Sequence, residues 1–166
     1  MRKITALLVC FVLVFSFTGC KSEKNTAGGV DIEYYVNLGG MPESDIKLGD
    51  AMPEEDDSIF SVEAGARSFM STGEFNYYYD LSALDKKINA IACFSDCFGF
   101  TTGDISIEIT NALQSRGIEY TEREPKKDEL FFLPGGENRS VIECKNLKHN
   151  LIFVFEDNAL CATYLS

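Results

Sequence analysis

The pattern of apolar and polar positions changes character along this chain, and each change predicts an element. Ile4 to Phe17 is an apolar run broken only by Thr5 and Ser16, and Arg2 and Lys3 precede it. At 14 residues it has the length of a signal-peptide apolar region and is too short to span a bilayer comfortably. No second apolar run reaches spanning length. Lys21 to Gly29 is polar and glycine-ended, which suits a tether. Val30 to Asn37 has strand-like composition, and Gly39-Gly40-Met41-Pro42 breaks it.

Beyond that break, similar segments recur in the same order. Leu48-Gly49-Asp50 returns loosely as Thr102-Gly103-Asp104. After the first, Pro53 and the acidic run Glu54 to Asp57 suit the start of a helix. Ile59, Phe60 and Val62 supply its apolar face and Gly65 its stop. After the second, Ile105, Ile109, Ala112 and Leu113 fall on one helical face, with Gly117 as the stop. Strands are predicted after each helix. Arg67 to Met70 matches Arg139 to Ile142, Phe75 to Asp80 matches Leu151 to Glu156, and Lys87 to Phe94 matches Asn158 to Leu165. The insert Ile118 to Asn138, with its charged run Glu122 to Glu129, predicts an extra hairpin.

The expected fold is α+β: two tandem repeats, each of one helix and about three antiparallel strands, dividing near Phe98 to Thr102. The expected organisation is a signal peptide over 1–19, a tether over 20–29, a first repeat over 30–100 and a second over 101–166. Such pieces also occur by coincidence in α+β chains. Both helices should cover one side of the sheets. The expected core is Ile59, Phe60, Phe69, Ile88, Ile91, Ile105, Ile109, Leu113, Val141, Phe153, Phe155 and Leu160.

Composition narrows the class. The 166 residues are 45% apolar and 25% charged, as in a folded domain. Acidic side chains outnumber basic ones by 26 to 15, for a net charge of −11. This argues against nucleic-acid binding, which needs a basic face, and disfavours anionic partners generally. Removal of residues 1–19 takes two positive charges and no negative one, which brings the net charge to −13.

Phe17-Thr18-Gly19-Cys20 resembles the lipobox of bacterial lipoproteins, with Phe17 standing where that family usually has Leu. The resemblance implies cleavage before Cys20, a diacylglyceryl group on its thiol, and further acylation of the palmitate type. Two or more acyl chains give a stable anchor. The domain would then stand on the extracytoplasmic face of the cell membrane. A helix-then-sheet unit occurring twice, behind a lipobox and led by a Leu-Gly-Asp turn, resembles small Gram-positive lipoproteins of unknown function. Their fold is similar to that of the tandem-repeat β-lactamase inhibitor proteins and of the small lipoproteins of outer-membrane assembly. That resemblance covers about residues 30 to 166, and it implies a binding surface, often an exposed sheet face, without chemistry. The short, acidic first helix departs from it.

Candidate chemistry is sparse. Cys10 leaves with the signal, and Cys93, Cys97, Cys144 and Cys161 remain. In an exported chain an even number suggests disulfides, and four allow three pairings; buried free thiols are the equal alternative. Cys93 and Cys97 could close a small loop at a strand end. The Cys-x-x-Cys spacing of redox motifs is absent. His149 is the single histidine and is expected in an exposed loop, with no zinc spacing around it. The run Glu54 to Asp57 lacks the calcium-loop pattern, and the glycine pairs fit no phosphate loop. Neither a cofactor nor an enzymatic activity is expected. Tyr77, Tyr78 and Tyr79 sit consecutively on a predicted strand, so Tyr77 and Tyr79 share one face and Tyr78 takes the other. At least one is expected to lie open as a binding anchor. The expected function is a lipid-anchored binding module for a protein or other envelope partner. A structural or assembly accessory of the envelope is the alternative.

Overall fold

The structure is a computed structural model, and it describes residues 29–53, 60–64, 67–80, 82–126, 129 and 138–166. Within them lie two helices and eight strands. Helix α1 spans Ile32–Asn37 and α2 spans Ser106–Ser115. The strands are β1 (Phe60–Ala64), β2 (Arg67–Ser71), β3 (Phe75–Asp80), β4 (Ile88–Cys93), β5 (Tyr120–Arg123), β6 (Arg139–Cys144), β7 (Leu151–Glu156) and β8 (Ala159–Leu165).

All eight strands form one sheet in the order β1-β2-β3-β4-β8-β7-β6-β5. Every pairing is antiparallel. Two four-stranded meanders therefore meet edge to edge where β4 joins β8, with Ala92 opposite Tyr164 at the centre of the seam. The expectation of about three strands per half is corrected to four. The two halves share one continuous sheet. The gain is physical: joining β4 to β8 removes two strand edges that would otherwise carry unpaired N–H and C=O groups.

The two meanders run in matching register. Arg67 faces Asp80 in the first and Arg139 faces Glu156 in the second. Tyr77 faces Ile91, and Phe153 faces Thr163. Each innermost hairpin shifts register at the corresponding place, between Tyr78 and Tyr79 in one and between Val154 and Phe155 in the other. The Gly-Asp turns also dock alike. Gly49 N–H donates to Ile88 O (2.8 Å), and Ile88 N–H donates to Asp50 O (2.9 Å). Gly103 N–H donates to Leu160 O (2.9 Å), and Leu160 N–H donates to Asp104 O (2.8 Å). In each turn the aspartate carboxylate accepts from the backbone three residues earlier, Lys47 N–H in one and Thr101 N–H in the other, both at 2.8 Å.

The first helix is not where the pattern placed it. Val30 to Asn37, expected as a strand, contains α1. Asp31 caps it by accepting from Tyr34 N–H at 3.0 Å, and Ile32 and Val36, one turn apart, are buried. Gly39, at φ +72°, ends it in a Schellman turn, with Gly40 N–H on Tyr35 O and Gly39 N–H on Val36 O. Phe60 and Val62, expected on a helix, lie on strand β1. Glu54 to Asp57 and Ile59 fall outside the described residues. Helix α2 lies within a residue or two of its expected span, and Gly117 and Ile118 close it with the same two bonds as at α1.

Both helices pack on one face of the sheet. Ile32 and Val36 of α1 and Ile109 and Leu113 of α2 join Met70, Tyr77, Ile91, Phe153 and Leu165 in the larger core cluster. The opposite face carries a second buried cluster that includes Tyr78, Ala92, Val141, Ile152, Val154 and Tyr164. Of the expected core, Ile88, Ile91, Ile109, Leu113, Val141, Phe153, Phe155 and Leu160 are buried. Phe69 is half-buried. Ile105 is 42% exposed, because it sits just before α2 in extended backbone bridged to Ala159, with its side chain outward.

Candidate functional site

The tyrosine strand was the candidate binding face, and the structure buries it. Relative exposures are 3% for Tyr77, 1% for Tyr78 and 5% for Tyr79. Tyr77 belongs to the helix-covered cluster and Tyr78 to the opposite one. The Tyr77 hydroxyl shares a 2.9 Å hydrogen bond with Ser44 Oγ, and burial raises its pKa. Tyr78 packs its ring on Phe69 and Tyr164, with centroids 5.6 and 6.4 Å away. The alternation read from the sequence holds for Tyr77 and Tyr78. The expectation that one ring lies open is corrected: all three are core residues, since both sheet faces carry buried apolar clusters. A partner cannot anchor on them while the domain is folded.

Outward apolar side chains lie elsewhere. Tyr34 on α1 is 58% exposed, and Leu38, the C-cap residue that follows the helix, is 47% exposed. They are four residues apart, so they share the solvent side of that helix. Asp31 and Glu33 lie exposed beside them. Ile105 and Ile107 are exposed at the start of α2, and Leu84 at the β3–β4 connection. This was missed because Tyr34 sits within a segment read as a strand.

The remaining cysteines separate by position. All four described ones are free thiols. Cys144 on β6 is buried under the helices, and its thiol pKa is pushed up to about 12 by burial. Cys161 on β8 packs against the opposite cluster, and burial raises its pKa too. Strand β7 lies between β6 and β8, so these two thiols are two strand spacings apart and on opposite faces. Cys93 and Cys97 instead share one buried cluster. The Cys97 thiol acts on Cys93 as a hydrogen-bond partner and, with Ser95, holds its pKa down to about 6. The same contact and burial push Cys97 up. Ser95 Oγ lies 3.4 Å from Cys93 Sγ.

Charge is concentrated at the far edge of the second meander. Arg123 of β5 binds Glu129 at 2.5 Å and Glu143 of β6 at 2.6 Å. Lys145 pairs with Glu143 at 3.0 Å, and Lys126 N–H donates to Glu129 at 2.7 Å. Burial alone would raise the Glu129 pKa, but Arg123 and Lys126 outweigh it and hold it below the usual glutamate range. Glu143 is lowered by its bond to Arg123. The network ties Glu124, Lys126 and Glu129 to the sheet. A groove open to solvent lies nearby, lined by Gln114, Gly117, Ile118, Glu119 and Tyr120.

His149 was expected in an exposed loop. It is in a loop but half-buried, with Nε2 beside Gly39, and burial lowers its pKa. Among the described residues no three His, Cys, Asp or Glu side chains are grouped to hold a metal ion, and no helix is long and apolar enough to cross a membrane. Cys20 and the signal segment lie outside the described residues. Comparison with protein-family models, with curated proteins and with solved structures finds no match to this chain.

Proposed function

We propose that this chain is a bacterial lipoprotein, anchored through Cys20 to the extracytoplasmic face of the cell membrane, whose folded domain serves as a binding module for an envelope partner. The observation that carries the reading is the succession of segments in the N-terminal sequence: two positive residues, one apolar run, Phe17-Thr18-Gly19-Cys20, then the polar segment Lys21 to Gly29. A tethered domain of this size, without a catalytic constellation in its sequence, acts by contact. Its docking surface is the outer side of α1, with Tyr34 and Leu38 as apolar anchors beside Asp31 and Glu33. A partner fitted to it has an apolar patch with a neutral or basic rim.

The fold supports a further reading: a tandem duplication in the manner of the β-lactamase inhibitor proteins. Matching strand registers, the register shift at the same place in each inner hairpin, and the identical docking of the two Gly-Asp turns all speak for it. Two coincident registers with a shared irregularity are hard to obtain from unrelated halves, because register is specified by side-chain pattern strand by strand.

The test is metabolic labelling of the full chain in a bacterial host with a fatty-acid analogue. Wild type should take up label and fractionate with membranes, and Cys20→Ala should do neither. Label that persists in Cys20→Ala would overturn the anchor.

A further inference from the structure

The connection between the two meanders carries a feature that neither the anchor nor the α1 surface uses. Residues 94–104 lead from β4 to the turn before α2. Within them Cys97 and Phe100 exchange both backbone bonds at 3.0 Å, closing a two-residue turn with Phe98 at φ +56° and Gly99 at φ +79°. Both central residues in left-handed backbone make this a type I′ turn. Glycine accepts that conformation readily, whereas a bulky aromatic rarely does. Phe98 is held there by burial: it is fully enclosed and meets Tyr35 of α1 edge to face at 6.4 Å. The connection thus presses on α1 from one end and positions α2 from the other. Cys93 stands immediately before this loop and Cys97 within it, both buried in one cluster.

We propose that Cys93 and Cys97 form an intramolecular disulfide in the exported protein, stapling the loop that joins the two halves, while Cys144 and Cys161 remain thiols. The partition follows from the sheet. Cys144 lies on β6, separated from β4 by β8 and β7, and Cys161 packs against the opposite face. Neither can reach Cys93 without breaking strand pairing. Cys97 is four residues from Cys93 and within its immediate surroundings.

The chemistry balances with a disulfide oxidant, either a small disulfide or an envelope thiol–disulfide oxidoreductase. The Cys93 thiolate attacks one sulfur of that disulfide, forms a mixed disulfide and releases one thiolate. Cys97 then gives up its proton, attacks the Cys93 sulfur and releases the second. Two thiols become one S–S bond, two protons are lost, and the oxidant takes up two electrons. The same balance holds with the two thiols exchanged, since either can be the first to attack while the loop is open. Both sulfurs are buried, so the exchange belongs to the period before the loop closes. The oxidising surroundings rest on the export reading above; the choice of partners does not.

Peptide mapping tests this on the full chain purified in detergent without reductant. Trypsin releases residues 88–116 as one peptide holding Cys93 and Cys97 and no other cysteine. The expected result is that this peptide resists alkylation, lacks two hydrogens, and accepts two alkyl groups only after reduction. The oxidised chain should also melt several degrees above Cys93→Ala/Cys97→Ala. Cysteines that alkylate as isolated, yet close within this peptide on equilibration with glutathione disulfide, would uphold the pairing and count against the export reading. Cysteines that stay open even then, or a bond from either one to Cys144 or Cys161, would overturn the proposal.

Discussion

In the first meander two residues separate β1 from β2, whereas in the second 15 residues separate β5 from β6. Pairing is antiparallel in both, with Ala64 opposite Arg67 at one hairpin end and Arg123 opposite Val141 at the other. The same antiparallel pairing thus tolerates connections of very different length, whose entropic cost grows slowly with length. What the long connection requires is fastening, and Arg123 provides it by binding carboxylates on both sides. The first meander has no counterpart among its described residues.

The largest effect should come from removing that fastening. Arg123→Leu leaves the buried Glu129 carboxylate without its main partner. Breaking one side of a fully buried pair costs about 3–5 kcal/mol. At the margin of this sheet, where Arg123 keeps 18% of its side-chain exposure, a loss of about 2–3 kcal/mol in urea denaturation is expected. The pH dependence has a definite sign. Glu129 and Glu143 are depressed in the folded state, so their contribution is complete above the ordinary glutamate value of about 4.3 and is lost as pH falls below it. Wild type should therefore lose stability in acid more steeply than Arg123→Leu. Equal acid slopes would show that the network does not hold the segment.

The two Gly-Asp turns test the likeness of the halves rather than their difference. Gly49 has φ +87° and Gly103 φ +104°, and an added Cβ would meet nothing within 4 Å at either. Gly49→Ala and Gly103→Ala thus read backbone strain alone, about 1–2 kcal/mol each. A smaller loss, about 1 kcal/mol, is expected from Asp50→Ala and Asp104→Ala, each removing one carboxylate-to-backbone bond. Matching costs within each pair would sharpen the parallel. A large loss at one turn with none at the other would break it.

Much of this scaffold is legible in the chain. β3 and β7 have the bounds their composition suggested, and α2 ends at Ser115, two residues before Gly117, because its apolar spacing and its stop coincide. Helix α1 was hidden because six residues give too little periodicity to outweigh the strand-forming Ile32, Tyr34, Tyr35 and Val36. The signals for it were the Asp31 cap and the buried pair one turn apart. Phe60 and Val62 alternate as a strand should, but the preceding proline and acidic run suggested a helix start. The seam between β4 and β8 leaves no trace in any side-chain pattern, because it is made by main-chain groups at two edges. Burial of the tyrosines was illegible for a related reason. Alternation says which face a ring takes and not what lies against that face.

The smallest effect on stability should come from the surface assigned to binding, and that is what makes it a clean test. Tyr34 and Leu38 lie on the outer side of α1, while Ile32 and Val36 carry its packing. Tyr34→Ala and Leu38→Ala should each change unfolding free energy by less than about 0.5 kcal/mol, since both side chains are exposed and the C-cap bonds of Leu38 are made by its main chain. Tyr77→Phe, by contrast, removes a buried hydroxyl bonded to Ser44 and should cost about 1 kcal/mol. The two tyrosines therefore separate function from fold. A photo-crosslinking residue at position 34 of the full chain, displayed on cells, should capture a discrete envelope protein. The same residue at position 111, exposed on α2, should not. Capture should fall when Leu38→Ala is added and persist when Tyr77→Phe is added. If position 111 captures the same protein as efficiently, or if Leu38→Ala leaves capture unchanged, the partner does not dock on α1.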